Sequence, residues 1–135
     1  MRIKFHRTDG KPFNLTTVGY WKFDQPKNAG TLHLYVAKMC DWRYEVSVFG
    51  HELIEALYCW ARGVTTEVCD DFDDQCEVEF EAGTRDVHVE PGFDPKCPYR
   101  WGHVMGSWWE WIFIHSTFAS WKKYDVECNR VMGID

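Results

Sequence analysis

The sequence predicts an α+β fold, with a short N-terminal antiparallel β-sheet and two main packed helices. Three observations predict it. Up to residue 38, apolar and polar residues alternate as they do in half-buried strands. From Trp42 the apolar spacing changes to steps of three and four. A second stretch with helical spacing follows Pro98. The chain has 135 residues and reads as one domain, 1–135, with no repeat, low-complexity stretch or internal boundary.

The first strand is expected over residues 2–7, where Ile3 and Phe5 alternate with Lys4 and His6, and Asp9-Gly10 marks the turn after it. A second is expected near 17–23, through Val18, Tyr20 and Phe23. The Pro, Asn and Gly residues between Gln25 and Gly30 read as a loop. A third strand over 31–38 places Leu32, Leu34 and Val36 on one face. Asp41 suits the N-cap of the first helix, Glu45 its first turn, and Gly63 its end. Trp42, Val46, Phe49, Leu53, Leu57 and Trp60 are expected to feed the core from this helix. The opposite seam then carries His51, Glu55, Tyr58 and Arg62.

Beyond it, Thr65 to Glu67 reads as a short helical turn, and Asp70 to Asp74 as a solvated acidic loop rather than a calcium site. Residues 77–90 read as a hairpin or a polar extended segment. The second main helix is expected over about 98–120, with Trp101, Met105, Trp108, Ile112 and Ala119 among its apolar residues. The tail, with Trp121, Tyr124, Val126 and Val131, is expected to pack back as a short helix.

Composition narrows the function classes. Fifteen basic residues against 21 acidic ones give a net charge of -6, and the basic residues are scattered. A nucleic-acid partner is therefore not expected. No apolar run approaches the roughly 20 residues of a membrane span. MRIKFHRTDG lacks the apolar stretch of a secretion signal, so a cytoplasmic location is expected. The six cysteines, none in a C-x-x-C pair, are then expected to be reduced thiols. Eight tryptophans exceed what a core of this size needs, so some are expected to line a groove or an interface.

The stretch with chemistry is His51-Glu52-Leu53-Ile54-Glu55. On a helix, His51 and Glu55 are neighbours one turn apart. This is the logic of the H-E-x-x-H zinc helix with Glu in place of the second His. Zinc accepts imidazole nitrogen and carboxylate oxygen alike. Glu52, rotated about 100° from His51, is placed to act on a molecule at the metal without binding it. A further ligand must come from elsewhere, and His103 and Glu110 share a face of the second helix. They lie about 10 Å apart along its axis, so one ligates and the other supports, or the pair flanks two ions. His103 is the better ligand by type. Gly106 and Ser107 between them would let the helices approach closely. The plain alternatives stand beside these readings: a surface His51–Glu55 pair, an interior His103, and a Glu110 that caps or pairs with Arg.

Two segments, His51 to Asp73 and Pro98 to Tyr124, resemble small phage and prophage proteins of uncharacterised function with a zincin-like helix. The shared features are the HELIEA helix, Gly63, the stretch Asp71-Phe72-Asp73, and Pro98-Tyr99 ahead of a helix bearing His103 and Glu110. The resemblance implies a phage or prophage origin and a minimal zincin-like fold. Glu55 departs from the peptidase pattern, which has His there.

These readings support a zinc-dependent hydrolase, with a peptidase as the nearest class. Its metal would sit on His51, Glu55 and His103, with Glu110 as a further candidate and Glu52 as general base. Zinc is expected before manganese or magnesium. The strand at 31–38 would offer its edge to an extended protein or peptide substrate. The alternative is a non-catalytic protein, held together by its metal, that binds a host protein through exposed tryptophans. A two-metal site on His51, Glu55, His103 and Glu110 acting on phosphate esters is the third reading.

Overall fold

The structure is a computed structural model, and it describes residues 1–14, 17–86 and 88–134. Strands β1 (Arg2–Thr8), β2 (Gly19–Gln25) and β3 (Ala29–Ala37) form one sheet in the order β1-β3-β2. Alternation decides which face of β3 is inside. Leu32, Leu34 and Val36 are completely buried, while the side chains of Thr31, His33 and Tyr35 lie between them in sequence and only partly covered.

The sheet is mixed, not antiparallel throughout. β2 runs antiparallel to β3, with Trp21 opposite Leu34. β1 runs parallel to it, with Phe5 opposite the same Leu34. The chain reverses twice between β1 and β3, so β3 resumes the direction of β1 on its other side. Because β3 is central, both its edges are already paired, and a peptide cannot add to it as the sequence suggested. The second reversal places Lys27 and Asn28 in the left-handed region (φ 59 and 56°). Asn28 then reaches across to the chain after the first helix, donating to the Val64 carbonyl and accepting from the Thr66 amide.

Helix α1 (Trp42–Arg62) begins and ends where its capping residues require. The Asp41 carboxylate accepts from the Arg43 amide at 2.9 Å, and Gly63 adopts φ 69°. The face it buries is only partly the expected one: Phe49 and Leu53 pack against the core, but the polar seam is buried as well. Tyr44, Val48, Ala56 and Cys59 go inside with His51, Glu52 and Glu55, while Trp42 and Trp60 remain 65% and 52% exposed. The cost of burying the polar residues is offset because most of them find partners.

Helix α1 packs against α3 (Arg100–Ser116), and the contact is close because glycines line it. Gly50 lies against Trp109, Gly106 against His51, and Gly102 against Tyr58, so the two helices run antiparallel. A Cβ on Gly106 would sit 2.9 Å from the His51 ring. The sequence placed α3 over 98–120. It starts later, at Arg100, and ends earlier, where the Thr117 hydroxyl donates to the Phe113 carbonyl and Phe118 turns to φ 57°.

Between them lies α2 (Thr66–Glu81), which the sequence reading divided into an acidic loop and a hairpin. Thr65 caps it by accepting from the Val68 amide, and Cys69 and Cys76 bury one narrow face with Phe72 between them. The acidic residues are the solvated remainder of that helix, and the EVEFE alternation belongs to its last turns. Helix α4 (Trp121–Met132), capped by Ser120, packs Tyr124 back against Tyr44 and Val48. All six cysteines are free thiols. No described helix is long and apolar enough to cross a membrane.

Candidate metal centre

Two helices supply one triangle of donor atoms. His51 and Glu55 project from α1 one turn apart, and His103 projects from the first turn of α3. His51 Nε2 lies 3.3 Å from Glu55 Oε2 and 3.2 Å from His103 Nδ1. His103 Nδ1 lies 3.1 Å from Glu55 Oε2. In a tetrahedral zinc site with ligand distances of about 2.0–2.1 Å, neighbouring donors stand roughly 3.3–3.4 Å apart. The three atoms therefore already form one face of such a tetrahedron. Among the described residues, this is the one group of three or more His, Cys, Asp or Glu side chains close enough to share an ion.

The atoms turned away from the triangle are also engaged. Glu55 Oε1 accepts from the indole nitrogen of Trp21 on β2 at 3.0 Å. His51 Nδ1 lies in ion-pair contact with Glu110, whose other oxygen accepts from the Tyr124 hydroxyl. His103 Nε2 stands 3.2 Å from Glu90 Oε1, just ahead of a single 3₁₀ turn (Pro91–Phe93). Both of these ring nitrogens are buried, and neither approach has the alignment of a finished hydrogen bond. Carboxylates behind ligating histidines fix ring orientation and tautomer. Gly92 belongs to the same support, because a Cβ there would collide with the His103 ring.

Burial and charge shape the ionisation of the site. Burial alone would neutralise Glu55, but the two histidines overcome it and hold its carboxyl down to about 2. Burial opposes charge on His103, and Glu55 with Glu90 raises it nonetheless to about 9. His51 is likewise raised, against its burial, by Glu110 and Glu55. Glu52 differs. Burial, reinforced by the charge of Glu55, pushes it up to about 8. It packs over Gly19 of β2, where a Cβ would fall 2.6 Å from its Oε1, and among the described residues its carboxylate has no hydrogen-bond partner.

The structure thus brings His51, Glu55 and His103 together at ligand spacing. It sets Glu52 beside them and puts Glu110 behind the His51 ring, on the side away from the triangle. Trp21, Glu90 and Tyr124 have no counterpart in the sequence reading. Their contacts span 34, 13 and 14 residues and follow no helical or strand period. The one available signal was general: a buried indole or phenol needs a polar partner. Two surface cavities, one lined by Phe13, Tyr20 and Asp70 and the other by Phe72, Cys76 and Arg85, lie apart from the triangle. The chain matches no family model, no curated protein and no solved structure.

Proposed function

We propose that this protein is a zinc-dependent hydrolase that acts on a protein or peptide. His51, Glu55 and His103 would hold the ion, and Glu52 would serve as general base. The observation that carries the reading is the donor triangle, whose edges of 3.1–3.3 Å match one face of a zinc tetrahedron. Two imidazoles and one carboxylate are a donor set that favours zinc over magnesium, which prefers oxygen ligands. Three protein ligands leave a fourth position for water. A zinc ion held there would supply Lewis acidity. Glu52, adjacent in sequence to His51 and without a hydrogen-bond partner among the described residues, would be the group to take a proton beside it. Glu110 and Glu90 hold the two rings, and Trp21 holds Glu55. A cytoplasmic setting, where the six thiols stay reduced, and the phage or prophage origin implied by the HELIEA helix belong to the same reading.

A second reading rests on a different observation. The triangle is about nine-tenths buried. An ion enclosed in that way would hold α1 to α3 without catalysis, and the protein would act by binding a host protein. Metal analysis after expression and purification in zinc-containing medium tests the shared premise. We expect close to one zinc per chain, and little or none in His51→Ala. Glu52→Gln then separates the two readings. A hydrolase keeps its zinc but loses peptide cleavage by about 10²–10⁴-fold. Equal cleavage by Glu52→Gln and the parent would remove Glu52 as the general base, and absence of cleavage by the zinc-loaded parent would leave the non-catalytic reading.

A further inference from the structure

Helix α3 is buried on the side that meets α1 and apolar on the side that meets water. Trp101, Met105, Trp108 and Ile112 recur at steps of four, three and four, and are 59%, 39%, 67% and 55% exposed. Trp111, 56% exposed, widens the stripe. This spacing is that of a helix–helix seam, and it runs about 16 Å along the axis. Apart from its two histidines, of which His103 faces Glu55 and His115 stands beside Trp111, the acidic and basic residues of α3 are Arg100, at its start and stacked on Trp101, and Glu110, which is turned toward His51. The chain carries a net charge of -6, and this stripe has no part in it.

We propose that the stripe is a homodimer interface, in which α3 pairs with α3 of a second copy across a two-fold axis. Three features of the stripe point to a second copy. The first is area. An aromatic side chain covers about 150–250 Å², so the exposed parts of the five residues sum to about 500–600 Å² per chain. That is the upper end of what a monomer usually leaves open, and most of the roughly 800 Å² per partner of a stable interface.

The second feature is self-complementarity. A two-fold axis between residues 105 and 108 sets Trp101 opposite Ile112 and Met105 opposite Trp108. The Trp101 and Trp108 indoles then each meet an unbranched or branched apolar side chain instead of another indole, so large and small residues interdigitate. The third is charge. Two copies of a chain at -6 repel each other, and pairing along an uncharged stripe brings no like charges into contact. The proposal is independent of the zinc reading.

Sedimentation equilibrium of the zinc-loaded protein from about 1 to 100 µM is the test. We expect twice the 16.0 kDa chain mass. Trp108→Glu alone and Met105→Lys alone should each sediment as monomers with unchanged helical circular dichroism and zinc content. Their equimolar mixture should recover the dimer, because Lys at 105 faces Glu at 108 across the axis while the native pair is kept on the other side. Wild-type protein that stays at 16.0 kDa throughout overturns the proposal. So does a dimer that survives Trp108→Glu. If the monomer instead binds vesicles of neutral and anionic lipid through these indoles, the stripe faces a membrane and the second copy is excluded.

Discussion

Glu110 stands behind the His51 ring, on the side away from the donor triangle. Its carboxylate stands between the Tyr124 hydroxyl and His51 Nδ1, so the imidazole turns Nε2 toward Glu55 and His103. Glu110→Gln should therefore keep the fold and lower zinc affinity by about 10–100-fold, measured by competition with a chelator of known affinity. Unchanged affinity would mean that packing alone positions the ring. A second carboxylate, Glu127, gives a pH dependence away from the site. The Arg130 guanidinium, against the effect of burial, holds it down to about 2, and the Cys40 amide at 2.8 Å helps. A carboxyl lowered from its ordinary 4.5 stabilises the fold above that pH, and the contribution is lost as pH falls from 4.5 through about 2. Glu127→Gln should be less stable than the parent near neutral pH, with the difference shrinking across that window. Urea midpoints at a series of pH values would show it, and a constant difference would contradict it.

At the level of elements, the seam between α1 and α3 depends on Gly106. An added methyl would meet the His51 ring at 2.9 Å, and neither the ring nor the backbone can withdraw without disturbing the triangle. Gly106→Ala should cost about 1–3 kcal/mol by overpacking and weaken zinc uptake as well. Loss of stability with full zinc affinity would show that the helices shift without moving the donors. The same seam explains what the sequence made visible. The limits of α1 were legible because Asp41 and Gly63 act locally, through one amide and one dihedral angle. The His51–Glu55 pair was legible because the period of a helix is fixed, and His103 because Gly106 marks where a second helix can approach. The buried face of α1 was not. A stripe of Trp42, Leu57 and Trp60 has every local mark of a core face, and only His103, Trp21 and Glu110, all distant in sequence, make the polar face the inner one. Helix α2 was hidden for a related reason. Its buried side is as narrow as Cys69, Phe72 and Cys76, so periodicity within it is faint. The direction of β1 was hidden because parallel and antiparallel partners demand the same alternation.

For the whole molecule, an ion held between α1 and α3 adds its binding energy to folding. At free zinc about 100-fold above Kd the gain is about 2.7 kcal/mol, or roughly 10 °C in the unfolding midpoint of a chain this long. Calorimetry with zinc and then with excess chelator should show the rise and its reversal. His103→Ala should show neither, and an equal shift in that variant would place the ion elsewhere. The donors also lie far apart along the chain, His103 standing 52 positions after His51. A nascent or partly folded chain that has formed α1 offers only the His51–Glu55 pair. The triangle is complete only once α3 has docked, so an ion that binds it would favour the finished structure over a transition state in which α3 is still undocked. Stopped-flow measurements should then find that zinc slows unfolding and leaves the refolding rate nearly unchanged. The lifetime of the folded chain, more than the speed of its formation, would follow the zinc supply around it.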